Sequence, residues 1–319
     1  MIVSPATVPR QDRAGGPAAL LLSDAGGLTQ FGVRLETLAP GAGTGERHWH
    51  SAEDEFLYVV AGRVSVIDGT GTHDLGPGDA ACWRAGVPNP HCLRNRTDAP
   101  CRYIIAGARV AHDICTYPDS GRRLVNHDRT WEILDAAGTR LRGGDLPAHL
   151  SDLAPDWAAP AVSPWPHPSV IRAAAARTET ASPAQEAQLG AFSARLHSDS
   201  GGLAQFGAFT ETLAPGARSS HRHWHEAEDE FLFVLDGTPT VVENDGPHLL
   251  SPGDAACWPA GVPNAHHVAN RSPHPCTCLV IGTRLPSDTV HYADIDRLYT
   301  RVNGVVSRTR RDGSPLPEN

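Results

Sequence analysis

His48 and His50 flank Trp49 and are followed by Glu55 and later by His91; the same residue types recur as His223, His225, Glu230 and His266, each 175 positions on. Three imidazoles and a carboxylate are a donor set for a first-row transition metal. On an extended strand residues i and i+2 share a face, so His48 and His50 point the same way and Trp49 the other. Glu55 opens an apolar run, Phe56 to Val60, and His91 comes from a distant strand. Donors from three strands converge most readily inside a closed barrel. Four protein donors leave open positions on a six-coordinate ion, as catalytic metals require. A single histidine pair on a strand is more often structural; the full ordered set twice over is a metal signal. Glu53 and Asp54 compete with Glu55 for the carboxylate role.

The repeat extends well past these residues. Ser23-Asp24 matches Ser198-Asp199, Gln30-Phe31-Gly32 matches Gln205-Phe206-Gly207, and the stretch Gly78 to Trp83 matches Gly253 to Trp258. The offset of 175 holds without a gap from Ser23 to Asp119, which means two copies of a whole domain rather than a solenoid of short units. We assign residues 1–150 to the first domain, the proline-bearing stretch 151–170 to a linker and 171–319 to the second domain. Within each copy, short runs of aromatic and branched residues end at glycine and proline turns, the pattern of a small antiparallel barrel. Helical periodicity is weak, strongest around 129–137 and 173–189. The expected fold is all-β: two tandem antiparallel barrels or jelly rolls with few short helices.

Composition narrows the chemistry. All 27 basic residues are arginine, so a Schiff-base lysine and a P-loop lysine are both excluded. A net charge of -9 argues against nonspecific nucleic-acid or anionic-membrane binding. No apolar run approaches the ~18 residues of a membrane span. Seven cysteines, four of them matched in two pairs across the repeat (Cys82 with Cys257, Cys101 with Cys276), do not form a disulfide framework. The matched pairs read as small buried hydrophobes, and the expected location is the cytoplasm.

With both motifs in hand, the chain resembles the cupin superfamily, specifically two-domain bicupins. His48-x-His50-x4-Glu55-x6-Gly62 and its copy ending at Gly237 match the first cupin motif, and Gly78 through His91-x3-Asn95 with Gly253 through His266-x3-Asn270 match the second. The distance to Gly62 favours Glu55 as the carboxylate ligand. Arg84 departs from the second copy's Pro259, putting the shape of the first copy's turn in question. The resemblance implies metal binding, and a three-histidine, one-glutamate set is associated in this superfamily with Fe(II) dioxygenases. Fe(II) is the favoured ion; Mn, Ni, Zn and Cu also suit the donors. The alternatives are non-redox decarboxylase, isomerase or lyase chemistry, and small-molecule or metal binding without catalysis. The layout is similar to that of oxalate decarboxylases but has no counterpart of their Ser-Glu-Asn-Ser lid. Partners implied are a small organic substrate and O2, and association into homo-oligomers.

The copies differ near the ligands. Glu46 and His221 precede the first histidine by two and are candidate acid/base or supporting groups. Arg34 stands where the second copy has Phe209; on an inward face it would clamp a substrate carboxylate.

Overall fold

The computed structural model describes residues 1–127, 129–147 and 165–316. Most of the sequence assigned to the linker, 151–164, lies outside them. The described residues form two β-barrels, each built on a seven-stranded sheet, with three short helices at Leu22–Ala25, Pro183–Leu189 and His197–Gly201. The first sheet centres on strands Glu55–Ala61, Cys101–Ala108 and Phe31–Leu38; the second on Glu230–Asp236, Cys276–Thr283 and Phe206–Leu213. Residues 130–134, where helical periodicity was expected, are a strand, Thr130–Leu134, paired on both sides. Sheet pairing has overridden a weak local pattern there. Helix formation does occur at Pro183–Leu189, where Ser182 and Gln185 form a capping box and Pro183 opens the first turn.

The apolar runs at 56–60 and 231–235 are continuous because both sheet faces are covered. In Glu55–Ala61, Leu57 and Val59 fill the first barrel with Leu38, Val64, Val66 and Tyr103. Phe56 and Tyr58 point the other way, into a core shared by both halves that also takes Phe31, Val33, Phe206, Phe231 and Phe233. Phe31 and Phe206, matched across the repeat, meet there with ring centroids 6.0 Å apart. Burying each such ring contributes about 2 kcal/mol, so this shared core is a principal tie between the barrels.

Polar bonds repeat the tie reciprocally. Asp54 is fully buried and accepts from the backbone amides of Ala204 (2.7 Å) and Gln205 (2.9 Å), while Gln205 Nε2 donates to Ala52 O. In mirror fashion Asp229 accepts from Thr29 and Gln30, and Gln30 Nε2 donates to Ala227 O. Asp54 is therefore committed to the interface between the barrels, not to a metal. Arg84 Nη1 donates to both Asp54 oxygens (2.9 and 3.0 Å). The turn it occupies keeps the shape of its copy: Gly86 N bonds His50 O as Gly261 N bonds His225 O. The difference between Arg84 and Pro259 is thus one of charge compensation, not of backbone form.

The halves also exchange terminal strands. Ile2–Val3 pairs with Ala255–Ala256 of the second barrel, and Val170–Ile171 pairs with Ala80–Ala81 of the first. These docked strands are related by an offset of 168, seven less than the repeat, and the second copy contains the seven-residue helix Pro183–Leu189 between the docked strand and the start of the gapless region. The matched cysteines are buried as expected. Cys82 and Cys257 pack against the short helix of the opposite half, where a Cβ on Gly201 or Gly26 would come within 2.3 Å of them. Glycine is required at both places by this close approach.

One interface residue breaks the symmetry. His197, matched to Leu22, is buried beside Phe56 and Tyr58; Nε2 lies 3.2 Å from Thr210 Oγ1 and Nδ1 has no hydrogen-bond partner. Burial, assisted by the charge of Arg195, lowers its pKa to about 4. The unfolded chain then binds a proton that the folded chain rejects, so stability is lost as pH falls from about 6.5 towards 4, by up to about 3 kcal/mol. His197→Leu, copying the first half, is expected to flatten this dependence. Thermal or denaturant unfolding of both proteins between pH 7 and 4.5 measures it, and parallel pH profiles would refute it.

Candidate metal centres

Each centre is assembled from main-chain pairing. His48 and His91 form an isolated antiparallel bridge, with His48 N donating to His91 O (3.1 Å) and His91 N to His48 O (2.9 Å). His223 and His266 do the same at 3.1 and 2.9 Å. His50 lies in strand Trp49–His50 opposite Cys115, and His225 in His223–His225 opposite Val290. Glu55 and Glu230 open the strands of the main sheets, as their place before the apolar runs implied.

Side chains converge as the spacing predicts. His91 Nε2 is 2.8 Å from Glu55 Oε2, His48 Nε2 is 3.8 Å from the same oxygen and His50 Nε2 is 3.9 Å from Oε1. In the second half His266, His223 and His225 bring Nε2 to 2.9, 3.8 and 3.6 Å from Glu230 Oε2. All three Nδ1 atoms in each half face other oxygens. His48 Nδ1 reaches Glu46 O (3.3 Å), His91 Nδ1 reaches Asn89 O (3.2 Å) and His50 Nδ1 reaches Asp113 Oδ2 (2.6 Å). His223, His266 and His225 are anchored likewise by His221 O, Asn264 O and Asp288 Oδ2. Carbonyl and carboxylate oxygens only accept, so Nδ1 carries the proton and Nε2 offers its lone pair inward. Glu55 Oε2 is buried with no hydrogen-bond donor aimed at it. Nitrogen and carboxylate lone pairs face each other across each centre, an arrangement a divalent cation completes, and the donors fit one.

Trp83 stacks on His91 (centroids 3.7 Å, planes 10° apart) and Trp258 on His266 (3.8 Å, 7°), fixing those rings. Asp113, Asp288 and the two tryptophans were not singled out from sequence as site residues, although all four lie in the gapless repeat.

The electrostatics are those of a proton-competing cation site. Burial opposes charge on His50, but Glu55 and the bond to Asp113 outweigh it and raise its pKa well above the ordinary value. Burial likewise opposes charge on Glu55, yet His50 and His91 hold it well below the carboxylate range. In the second centre burial is again outweighed at His225, raised to about 9 by Glu230 and Asp288, whereas burial dominates at His223 and lowers it to about 4. Glu53 is pushed up to about 8, mainly by burial, and sits 3.6 Å from His50 Nδ1, behind the ligand ring. It does not take the place of Glu55.

The first centre lies in a cavity of about 650 Å³ that Arg34, Glu36, Glu46, Ile105, Cys115 and Tyr117 also line. Arg34 does face inward. Its Nε is 3.5 Å from Glu36 Oε1, and Glu36 accepts from Tyr103 Oη at 2.7 Å. Glu46 sits further out, paired with Arg122 and with Ser120 Oγ. His221 supports His223 through its carbonyl rather than its ring. The equivalent of the Arg34–Glu36–Tyr103 cluster is Phe209, Glu211 and Cys278, and burial pushes Glu211, without the cation and phenol, up to about 7.

The comparisons agree with this architecture. A model of the cupin domain matches residues 34–107 and 209–282, one match in each barrel. The chain belongs to the cupin superfamily and carries two such domains in tandem. No curated protein matches the sequence. Among solved structures, a sugar phosphate isomerase of the cupin superfamily from Silicibacter pomeroyi is 39% identical over 45% of this chain and 93% of its own, with a TM-score of 0.43. A Bacillus subtilis oxalate decarboxylase structure concerned with Mn(II) centres is 19% identical over 92% of this chain and 78% of its own, with a TM-score of 0.55. A point mutant of that enzyme gives 19% and 0.53 over the same coverage. The two decarboxylase structures share the two-barrel fold.

Because His225 holds a proton at neutral pH and His50 is likewise raised well above its ordinary value, a cation must displace protons to bind. Metal uptake at pH 7.5 is expected to release roughly one proton per ion bound. Calorimetry in buffers of different ionisation enthalpy measures this, and a buffer-independent heat would contradict it.

Proposed function

We propose that the protein is a metal-dependent enzyme acting on a small organic acid in the first barrel, most specifically an Fe(II) dioxygenase-type oxidoreductase. The observation that carries this reading is three inward Nε2 atoms and one carboxylate gathered in a cavity of about 650 Å³ that also holds Arg34. When bound, iron(II) would supply redox chemistry with O2, and His48, His50, Glu55 and His91 would hold it. Arg34 is fixed on one side by Glu36, and its planar fork suits a carboxylate. Tyr103 steadies Glu36 in turn and thereby the guanidinium paired with it. Glu46, tied to Arg122, borders the cavity as a positioning group.

In the second barrel Phe209 removes the clamp, so that centre is proposed to serve a different ligand or a structural purpose. Among the described residues no helix is long and apolar enough to cross a membrane. All seven cysteines are free, which supports residence in the reducing cytoplasm.

The test is oxygen uptake by Fe(II)-loaded protein against 2-oxo, hydroxy and enolic acids. Stoichiometric O2 consumption is expected, and Arg34→Leu should raise KM for carboxylate-bearing substrates roughly 10- to 100-fold, the worth of a charged hydrogen bond. Full metal loading with no O2 uptake would overturn the dioxygenase reading, and undiminished anaerobic turnover would favour lyase or isomerase chemistry instead.

A further inference from the structure

The two centres are alike in their histidines and glutamates but not in what lies beside them. Strand His112–Tyr117 pairs with Trp49–His50 so that Cys115 lies directly across from His50. Cross-strand partners share a face, so the thiol enters the barrel beside the ligand ring. Cys115 is buried, at 2% exposure, and lines the first cavity. Its sulfur and one ring nitrogen each from His48 and His50 all lie within 4.8 Å of one another. The matching position in the second barrel is Val290, across from His225.

We propose that Cys115 supplies a sulfur ligand to the first metal ion, giving that centre a fifth protein donor that the second lacks. The proposal rests on the reading of both clusters as metal centres. That reading does not depend on the cysteine, because Glu55 Oε2 is buried without a hydrogen bond among three imidazoles whose Nδ1 atoms face other oxygens. Metal–nitrogen and metal–sulfur bonds of about 2.1 and 2.3 Å allow two donors on one ion to lie up to about 4.4 Å apart. The spread of the His48, His50 and Cys115 donors exceeds this by at most a few tenths of an ångström, within the reach of one side-chain rotation. On ligation the S–H bond is replaced by a sulfur–metal bond and the proton passes to water; no oxidant is needed. A soft thiolate favours iron, cobalt or zinc over manganese and magnesium, so the two barrels are tuned to different metals.

Cobalt(II) added to the full chain, one equivalent at a time, reads this directly. A sulfur-to-cobalt charge-transfer band in the near ultraviolet is expected to grow with only one of the two equivalents. It should disappear in Cys115→Val, which places the second barrel's own residue in the first, with both cobalt equivalents still bound and the melting transition intact. It should persist in Cys92→Ser, the other cysteine lining the cavity, and strengthen in Val290→Cys. Two bound equivalents without the band, or a band that survives Cys115→Val, would overturn the sulfur ligand and leave the metal centres standing. Failure of the chain to bind cobalt would overturn the proposal and the metal centres together.

Discussion

In each half three imidazole rings face oxygen atoms with Nδ1, and this leaves three Nε2 lone pairs facing one glutamate. Everything else in each barrel serves that constraint. The His48–His91 and His223–His266 bridges set two rings in register. Trp83 and Trp258 stack on one of those bridged rings, His91 and His266, and Asp113 and Asp288 hold the third, His50 and His225, from behind at 2.6 Å. Converging acceptors repel one another unless a proton or a cation lies between them, so the fold maintains a cluster that is electrostatically incomplete by itself. The shared hydrophobic core and the buried Asp54 and Asp229 contacts are what keep such a cluster from relaxing.

The duplication gives two such centres and then separates them. The histidine and glutamate donors repeat residue for residue, while what lies beside them diverges: Arg34 against Phe209, Tyr103 against Cys278, Cys115 against Val290. Each change alters charge, hydrogen bonding or softness in the lining of the first cavity or one contact behind it. Glu211, deprived of both partners that Glu36 has, shows the electrostatic result, with burial alone setting its pKa near 7. Duplicated centres can in this way be specialised while their shared histidines and glutamates stay unchanged.

Much of this was legible in the sequence because the information was local or periodic. The offset of 175, the alternation that puts His48 with His50 and Arg34 with Glu36, and the glycine-terminated strands all follow from spacing. What was not legible depends on pairing between distant segments. Asp113 is 63 residues from His50, and nothing before the strands pair says that they meet. The exchange of Ile2–Val3 and Val170–Ile171 was hidden because a seven-residue helix shifts their offset to 168. Asp54 looked like a rival ligand because it neighbours Glu55; on a strand neighbours face opposite ways, and Asp54 faces the other barrel.

The central claim is that each half independently gathers one cation through its glutamate and histidines. Elemental analysis of metal-loaded wild type, Glu55→Ala, Glu230→Ala and the double variant tests it most directly. The account predicts two ions per chain, then one, one and none. Two ions retained in either single variant, or none in the wild type, would contradict it.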